Sequence, residues 1–311
     1  MSKLRVLNFI FSIYLVFNSS ISNAKTPVMC VSDWPVWEMA RVVPSASKFE
    51  IIYENYRTCI NQFIYGKLDI TFLALYDFIR IQQQNQNGKI ISVTDYSNGG
   101  DKIVAKKNYE FKKENREIVY MQIDSLSLYL FYLFLNKIKM DMKDFEYRNI
   151  KAENIKNAYF TEQAKIFVSW NPHFEGIEQK GYKVIASSKD FPKKIFDVIV
   201  VKKSSFDEFK NIYEVFLKEY INSFNNQKLY DKISNLNRIN TKEYINTLSD
   251  AYIYKNKLDI ISAENDIKES LRENKEFIAK MNYLLKDFGF YDSKDFDLKS
   301  IVDFDLIRTL K

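Results

Sequence analysis

Residues 95–105 read Asp95-Tyr96-Ser97-Asn98-Gly99-Gly100-Asp101-Lys102-Ile103-Val104-Ala105. The segment closes one β-rich run and opens another. It holds the only adjacent glycine pair in a chain with seven glycines. Glycine takes positive φ without steric cost, so the pair suits a tight turn; it equally lets backbone N–H groups approach a bound molecule. Either way it punctuates the chain, with an α/β run on each side.

Upstream, residues 28–32 and 49–53 are short β-rich runs. Ile60, Phe63 and Ile64 give helical spacing over 58–65, with Gly66 as the stop. Residues 68–74 and 90–94 read as strands around a helix over 77–84. Strands separated by single helices predict a parallel sheet, with ligands in the crevice beyond the strands' carboxyl ends. Downstream, 102–106 and 118–123 are extended, and Asp124-Ser125 offers N-cap chemistry for an apolar helix over 126–138. Residues 165–169 and 183–186 follow as strands, and 196–201 is a β-branched run suited to a buried crossing strand. No proline follows Pro192. Ser205 with Glu208 predicts a capping box, one apolar face runs from Phe206 to Tyr220, and helical patterns cover 243–254 and 266–288. The expected fold class is α/β, two lobes with a C-terminal helical tail. Residues 25–100 begin lobe 1, 101–198 form lobe 2, and 199–311 return to lobe 1 and the tail.

The N-terminus reads as an export signal over residues 1–24: Lys3 and Arg5, an apolar run over 6–17, then Ser22-Asn23-Ala24 at the cleavage positions. The run is short of the ~20 apolar residues that span a bilayer. Lys25, not Cys, follows the cut, so the expected location is the periplasm, without a lipid anchor. The formal charge of +6 falls to +4 without Lys3 and Arg5. That mild balance, with no dense basic run, excludes nucleic acid as a partner. In an oxidising compartment Cys30 and Cys59 either form a disulfide or stay as small buried hydrophobes; both outcomes remain open. Two cysteines and one histidine supply no metal site, and no cofactor motif is visible.

Candidate ligand contacts cluster at strand ends. They are Trp34, Trp37 and Glu38 after the first strand, Tyr76 and Asp77 after the third, and Tyr96, Ser97, Asn98, Gly99 and Asp101 in the glycine segment. Ser125 and Ser127 open the apolar helix, where unpaired N–H groups suit a polar ligand atom. Trp170, Asn171 and Asp197 complete the set. All three tryptophans of the chain lie in these loops, a placement that favours ligand contact. As loop residues, Trp34 and Trp170 should tolerate alanine without unfolding.

The order of elements and several motifs resemble the type II periplasmic substrate-binding proteins of ABC importers, in the nitrate/sulfonate/taurine and thiamine-precursor group. The matching pieces are Trp34-Pro35, Tyr65-Gly66-Lys67-Leu68-Asp69-Ile70, the 95–105 segment and Phe196-Asp197-Val198-Ile199-Val200-Val201. The resemblance implies a hinged fold with crossings near 101–106 and 196–201. It also implies a small-molecule ligand between the lobes, a monomer, and an inner-membrane ABC permease as partner. Bulky Trp37-Glu38-Met39 replaces the family's small residues, and Asn171 replaces its usual acid. The loops carry no arginine, which argues against an oxyanion held by a guanidinium. Carboxylates beside aromatic faces match a small amine, zwitterion or nitrogen heterocycle; Asp95 and Asp124 equally suit helix caps. Two rival readings compete with this one. A thiamine-pyrimidine-synthase-like enzyme would need a cysteine-rich motif and an active-site histidine, whereas His173 stands alone on a loop. A sensory module would hand the ligand signal to a separate partner.

Overall fold

A computed structural model describes residues 25–85, 87–158, 164–174, 176–288 and 301–310. The expected signal segment, 1–24, lies outside the described residues. Numbered along the chain, the strands are β1 (Val28–Val31), β2 (Glu50–Tyr53), β3 (Ile70–Ala74), β4 (Gly88–Ser97), β5 (Asp101–Lys106), β6 (Ile118–Met121), β7 (Glu146–Asn149), β8 (Ile166–Trp170), β9 (Tyr182–Ser187), β10 (Phe196–Lys202) and β11 (Ala251–Ile253). They form two sheets, ordered β11-β4-β10-β3-β1-β2 and β7-β6-β8-β5-β9.

Neither sheet is purely parallel, contrary to the expectation from strand–helix alternation. β1 pairs in parallel with β2 and β3, but β10 lies antiparallel between β3 and β4. β10 arrives from the other sheet, so it enters the first against the direction of the strands built upstream. Its Val198, Ile199, Val200 and Val201 are fully buried, as a β-branched run covered on both faces should be. β5 likewise runs antiparallel to β8 and β9 in the second sheet.

The outgoing crossing is Asn98-Gly99-Gly100, between β4 and β5. Gly99 takes φ 119°, and a Cβ on Gly100 would lie 2.5 Å from the Trp34 ring, so both glycines are required. The return crossing lies between β9 and β10. It starts with a 3-10 turn, Ser188–Asp190, closed by a capping box between Ser187 and Asp190. The resemblance implies a crossing near 196–201; those residues lie in β10, inside the first sheet, so the chain has already returned before the expected 198/199 boundary.

The tail is helical, chiefly Phe206–Ser223, Gln227–Asn237 and Glu264–Lys280. Phe209, Tyr213 and Phe216 are buried, with Phe216 edge-on to Phe72 of β3. The chain end returns to β4, where Ile90 N donates to Ile301 O (2.7 Å) and Asp303 N to Ile90 O (2.9 Å). Three expectations differ here. The helix begins on Phe206 without the Ser205 capping box: Ser205 has φ −111° and ψ 3°, and its hydroxyl donates to Lys202 O. The expected helix over 243–254 stops at Thr247 and gives way to β11. The helix expected from residue 58 starts at Tyr56, with Asn55 as N-cap accepting from Thr58 N. Cys30 and Cys59 form a disulfide that ties β1 to this helix.

Candidate functional site

The sheets face each other across a narrow cleft lined by Ser32, Asp33, Trp34, Trp37, Tyr56, Asp101, Leu126, Trp170 and Asp197. The first four residues come from the turn and short helix after β1. Tyr56 heads the disulfide-tied helix, and Asp197 lies near the start of β10. Asp101 opens β5, Leu126 starts the helix Leu126–Lys137, and Trp170 ends β8. The walls are indole and phenol rings. Trp37 stacks on Phe72 (6.2 Å) and tilts against Tyr56 (5.4 Å), while Tyr56 meets Trp170 edge-on across the cleft (6.2 Å).

Beneath the rings lies a set of buried acids. Asp95 and Asp197, both buried, are cross-strand partners on β4 and β10, so their side chains lie on the same face of the sheet. Asp95 accepts from Thr94 Oγ1 (2.6 Å) and Trp34 Nε1 (3.1 Å). Burial, opposed by these bonds, raises Asp95 to about 6. Asp197 is lifted well above the carboxylate range by burial and then by the charges of Asp95 and Asp101. Burial raises Asp101 to about 7; a Ser97 hydrogen bond opposes this, and the Asp95 and Asp250 charges add to it. Asp77 accepts from Tyr56 OH (2.7 Å) and rises to about 6, again mainly through burial. Two buried polar atoms on cleft-lining residues have no hydrogen-bond partner, Asp101 Oδ1 and Trp37 Nε1. Leaving such atoms unpaired costs about 1–3 kcal/mol each, more for a charged group. The cleft therefore offers an acid acceptor and an indole donor between aromatic faces. Among the described residues, no group of three or more His, Cys, Asp or Glu is placed to hold a metal ion.

No protein-family model matches the chain, and no curated protein matches it by sequence. Solved structures do. The ligand-binding component of an ABC-type import system from Staphylococcus aureus, solved with zinc bound, superposes with a TM-score of 0.71 at 14% identity, covering 92% of this chain and 99% of that one. The periplasmic aliphatic sulphonate-binding protein SsuA from Escherichia coli gives 0.67 at 10% identity, over 92% and 100%. A Candida albicans protein described as having the generic periplasmic-binding-protein fold gives 0.63 at 12% identity, over 90% and 96%. This is the type II fold of the periplasmic binding proteins.

In this periplasmic-binding-protein fold, five of the residues singled out from sequence meet in the cleft: Trp34, Trp37, Asp101, Trp170 and Asp197. Trp34 and Trp37 are 8% and 4% exposed, so they are cleft wall and core at once rather than loop ornaments. Glu38 and Asn171 line a wider groove beside the cleft. Glu38 accepts from Tyr53 OH (2.6 Å) and Asn237, and Asn171 Nδ2 donates to Asp250 Oδ2 (2.7 Å). Asp77 lies behind Tyr56. Tyr76 stacks on Tyr129, with its buried hydroxyl unpartnered. Tyr96 points away from Asp95, as alternation along a strand requires, and stacks on Tyr252 (4.8 Å).

Ser97, Asn98 and Gly99 serve the crossing. Ser97 Oγ pairs with Ser188 Oγ (2.8 Å), Gly99 N donates to Ser188 Oγ (2.7 Å), and Asn98 N donates to Asp250 O (2.8 Å). Ser125 caps its helix, accepting from Ser127 N, while the Ser127 hydroxyl is buried and unpartnered. His173 packs edge-on against Trp170 (5.3 Å).

Sequence reasoning missed Tyr56, Ser188 and two arginines. Arg57 and Arg80, carried on helices rather than loops, both reach the buried Asp124 at the start of the second-lobe helix. Arg80 also lies 3.6 Å from Asp77. The Asn55-x-x-Thr58 cap could have flagged Tyr56; nothing local in the sequence flags the arginines.

Proposed function

We propose that this chain is the solute-binding component of an ABC-type importer, working in the periplasm and closing its two lobes on a small cationic amine, zwitterion or nitrogen heterocycle. The fold supports the importer role: the Staphylococcus aureus and Escherichia coli structures above are named for binding in ABC-type import and for aliphatic sulphonate binding. The observation that carries the ligand class is the unpaired Asp101 Oδ1 in a cleft walled by Trp34, Trp37, Tyr56 and Trp170. A cation over an aromatic face gains about 0.5–2 kcal/mol per contact, and a buried carboxylate supplies its counter-charge. A sulfonate or nitrate would meet the acids head-on. Arg57 and Arg80 are engaged by Asp124 and Asp77, and Arg41, in the neighbouring groove, by Glu38 and Asn237. Opposite charges next to the acids, not like ones, are what the electrostatics favour.

The test is a thermal-shift screen of small amines, amino-pyrimidine thiamine precursors, taurine-like sulfonates and nitrate, followed by calorimetry on the hits. Stabilisation by amines or amine-bearing heterocycles, lost in Asp101→Asn, is the expected result. Tight binding of a sulfonate or nitrate, with amines inert, would overturn the ligand assignment.

A further inference from the structure

We propose that the cleft takes its cation in exchange for a proton, released from the carboxyl cluster of Asp95, Asp101 and Asp197 as the ligand seats. This rests on the amine reading above and adds to it how the site is switched. The geometry begins with the register: Asp95 on β4 stands directly opposite Asp197 on β10. Two buried carboxyls at directly paired positions of neighbouring strands resist ionising together, so the pair holds a proton. Asp95 is the member that keeps the charge, since Trp34 Nε1 and Thr94 Oγ1 donate to it. Asp197 is then the proton donor of the pair, and it is also the member that lines the cleft. Asp101 lines the same cleft with one oxygen unpaired. A seated cation thus meets one carboxyl that must give up a proton to pair with it, and a second that titrates at about 7.

The groups facing the cluster do little to neutralise it. On the first-lobe side they are Asp77, Tyr56, Tyr220 and Tyr254, and on the β11 side Asp250. Asp33 lines the cleft mouth. Among the described residues, the cation that acts on Asp101 is Lys102, and its effect is outweighed by burial and by the Asp95 and Asp250 charges. Arg80 and Arg57 act on Asp77 instead. Charge balance in the closed cleft therefore comes from a proton when no cation is bound, and from the cation once it arrives. In the exchange the carboxyl O–H bond of Asp197 breaks, the proton leaves to buffer, and the carboxylate pairs with the cation.

The experiment is titration calorimetry of the full protein with guanidinium, methylammonium and N-methylpyridinium, which hold their charge across the range used. Each is run from about pH 5 to about pH 8 in buffers of different ionisation heat. Affinity is expected to rise at least about tenfold per pH unit up to about pH 7, with about one proton released per cation, as linkage requires. At about pH 8, where Asp101 is already ionised, Asp197→Asn should bind without releasing a proton. An infrared band of a protonated carboxyl should be present in the ligand-free protein at about pH 8, where Asp101 is ionised, and it should be lost in Asp197→Asn. Absence of that band overturns the exchange without any ligand and independently of whether the variant folds. Binding with no proton release and a flat pH profile overturns the exchange and leaves the amine reading standing. Failure of every probe at every pH overturns the amine reading and the exchange with it.

Discussion

Replacing Asp101 by asparagine should make the ligand-free protein more stable at neutral pH, and the size of the effect can be worked out. The fold holds this carboxyl at about 7, raised from 3.8. A carboxyl raised by folding contributes most at low pH, where both states are protonated. Its contribution falls as pH rises above the unfolded value and levels off once pH passes the folded value. Each pH unit in that window is worth ~1.4 kcal/mol, so from about pH 5 to about pH 7 the wild type loses ~3 kcal/mol that asparagine does not lose. Asp101 is 3% exposed, so solvent screening removes little of this. Urea denaturation of both proteins at about pH 5 and about pH 8 gives the difference directly. Subtracting the two proteins cancels every other titrating group except those coupled to Asp101. A difference that stays constant, or shrinks as pH rises, would show that Asp101 is not held as a buried neutral acid, and the chemistry assigned to the cleft would go with it.

Four further outcomes follow from the packing. Gly100→Ala puts a methyl group 2.5 Å from the Trp34 ring and 3.3 Å from Asp250 O; it should cost about 1–3 kcal/mol, and tryptophan fluorescence should shift as the ring moves. Trp34→Ala removes a buried ring and the donor to Asp95, so it should destabilise by about 3–5 kcal/mol in chemical denaturation. Trp170→Ala, at a half-buried position, should chiefly weaken ligand binding in calorimetry. Cys30→Ser with Cys59→Ser opens a loop of sequence separation 29 and should lower stability by about 3–4 kcal/mol, read as a drop in Tm under non-reducing conditions.

Local patterning carried most of the scaffold. The apolar run of β10, the glycine pair and the capped helix after Asp124-Ser125 all act over a few residues, and each is where the pattern put it. What failed depends on partners far along the chain. Residues 248–254 keep a helical apolar spacing, yet three of them extend because β4 offers a free edge there, with Ala251 opposite Ser97 and Ile253 opposite Asp95. Ser205 followed by Glu208 has the capping spelling, but a preceding 3-10 turn gives Ser205 the wrong backbone angles to accept from its helix. At the site, tryptophans and acids at strand ends were legible as a class. Their pairing was not: Asp95 meets Asp197 only through an antiparallel register between residues about a hundred positions apart. For the same reason Ser97 and Gly99, which looked like ligand contacts, turn out to be bonded to Ser188.

That last contact has a mechanical consequence. A single hydroxyl in the return crossing, that of Ser188, holds both Ser97 and Gly99 at the outgoing one, so the two connections are pinned at one atom. Such a pin resists separation of the two connections, while a hydroxyl rotor follows its partners at small cost. Asp101 sits next to this pin, its N–H donating to Ser97 Oγ (3.3 Å), and β5 pairs it with Trp170 of β8. The unpaired carboxyl oxygen of the cleft therefore lies beside the pin, on the same sheet as Trp170.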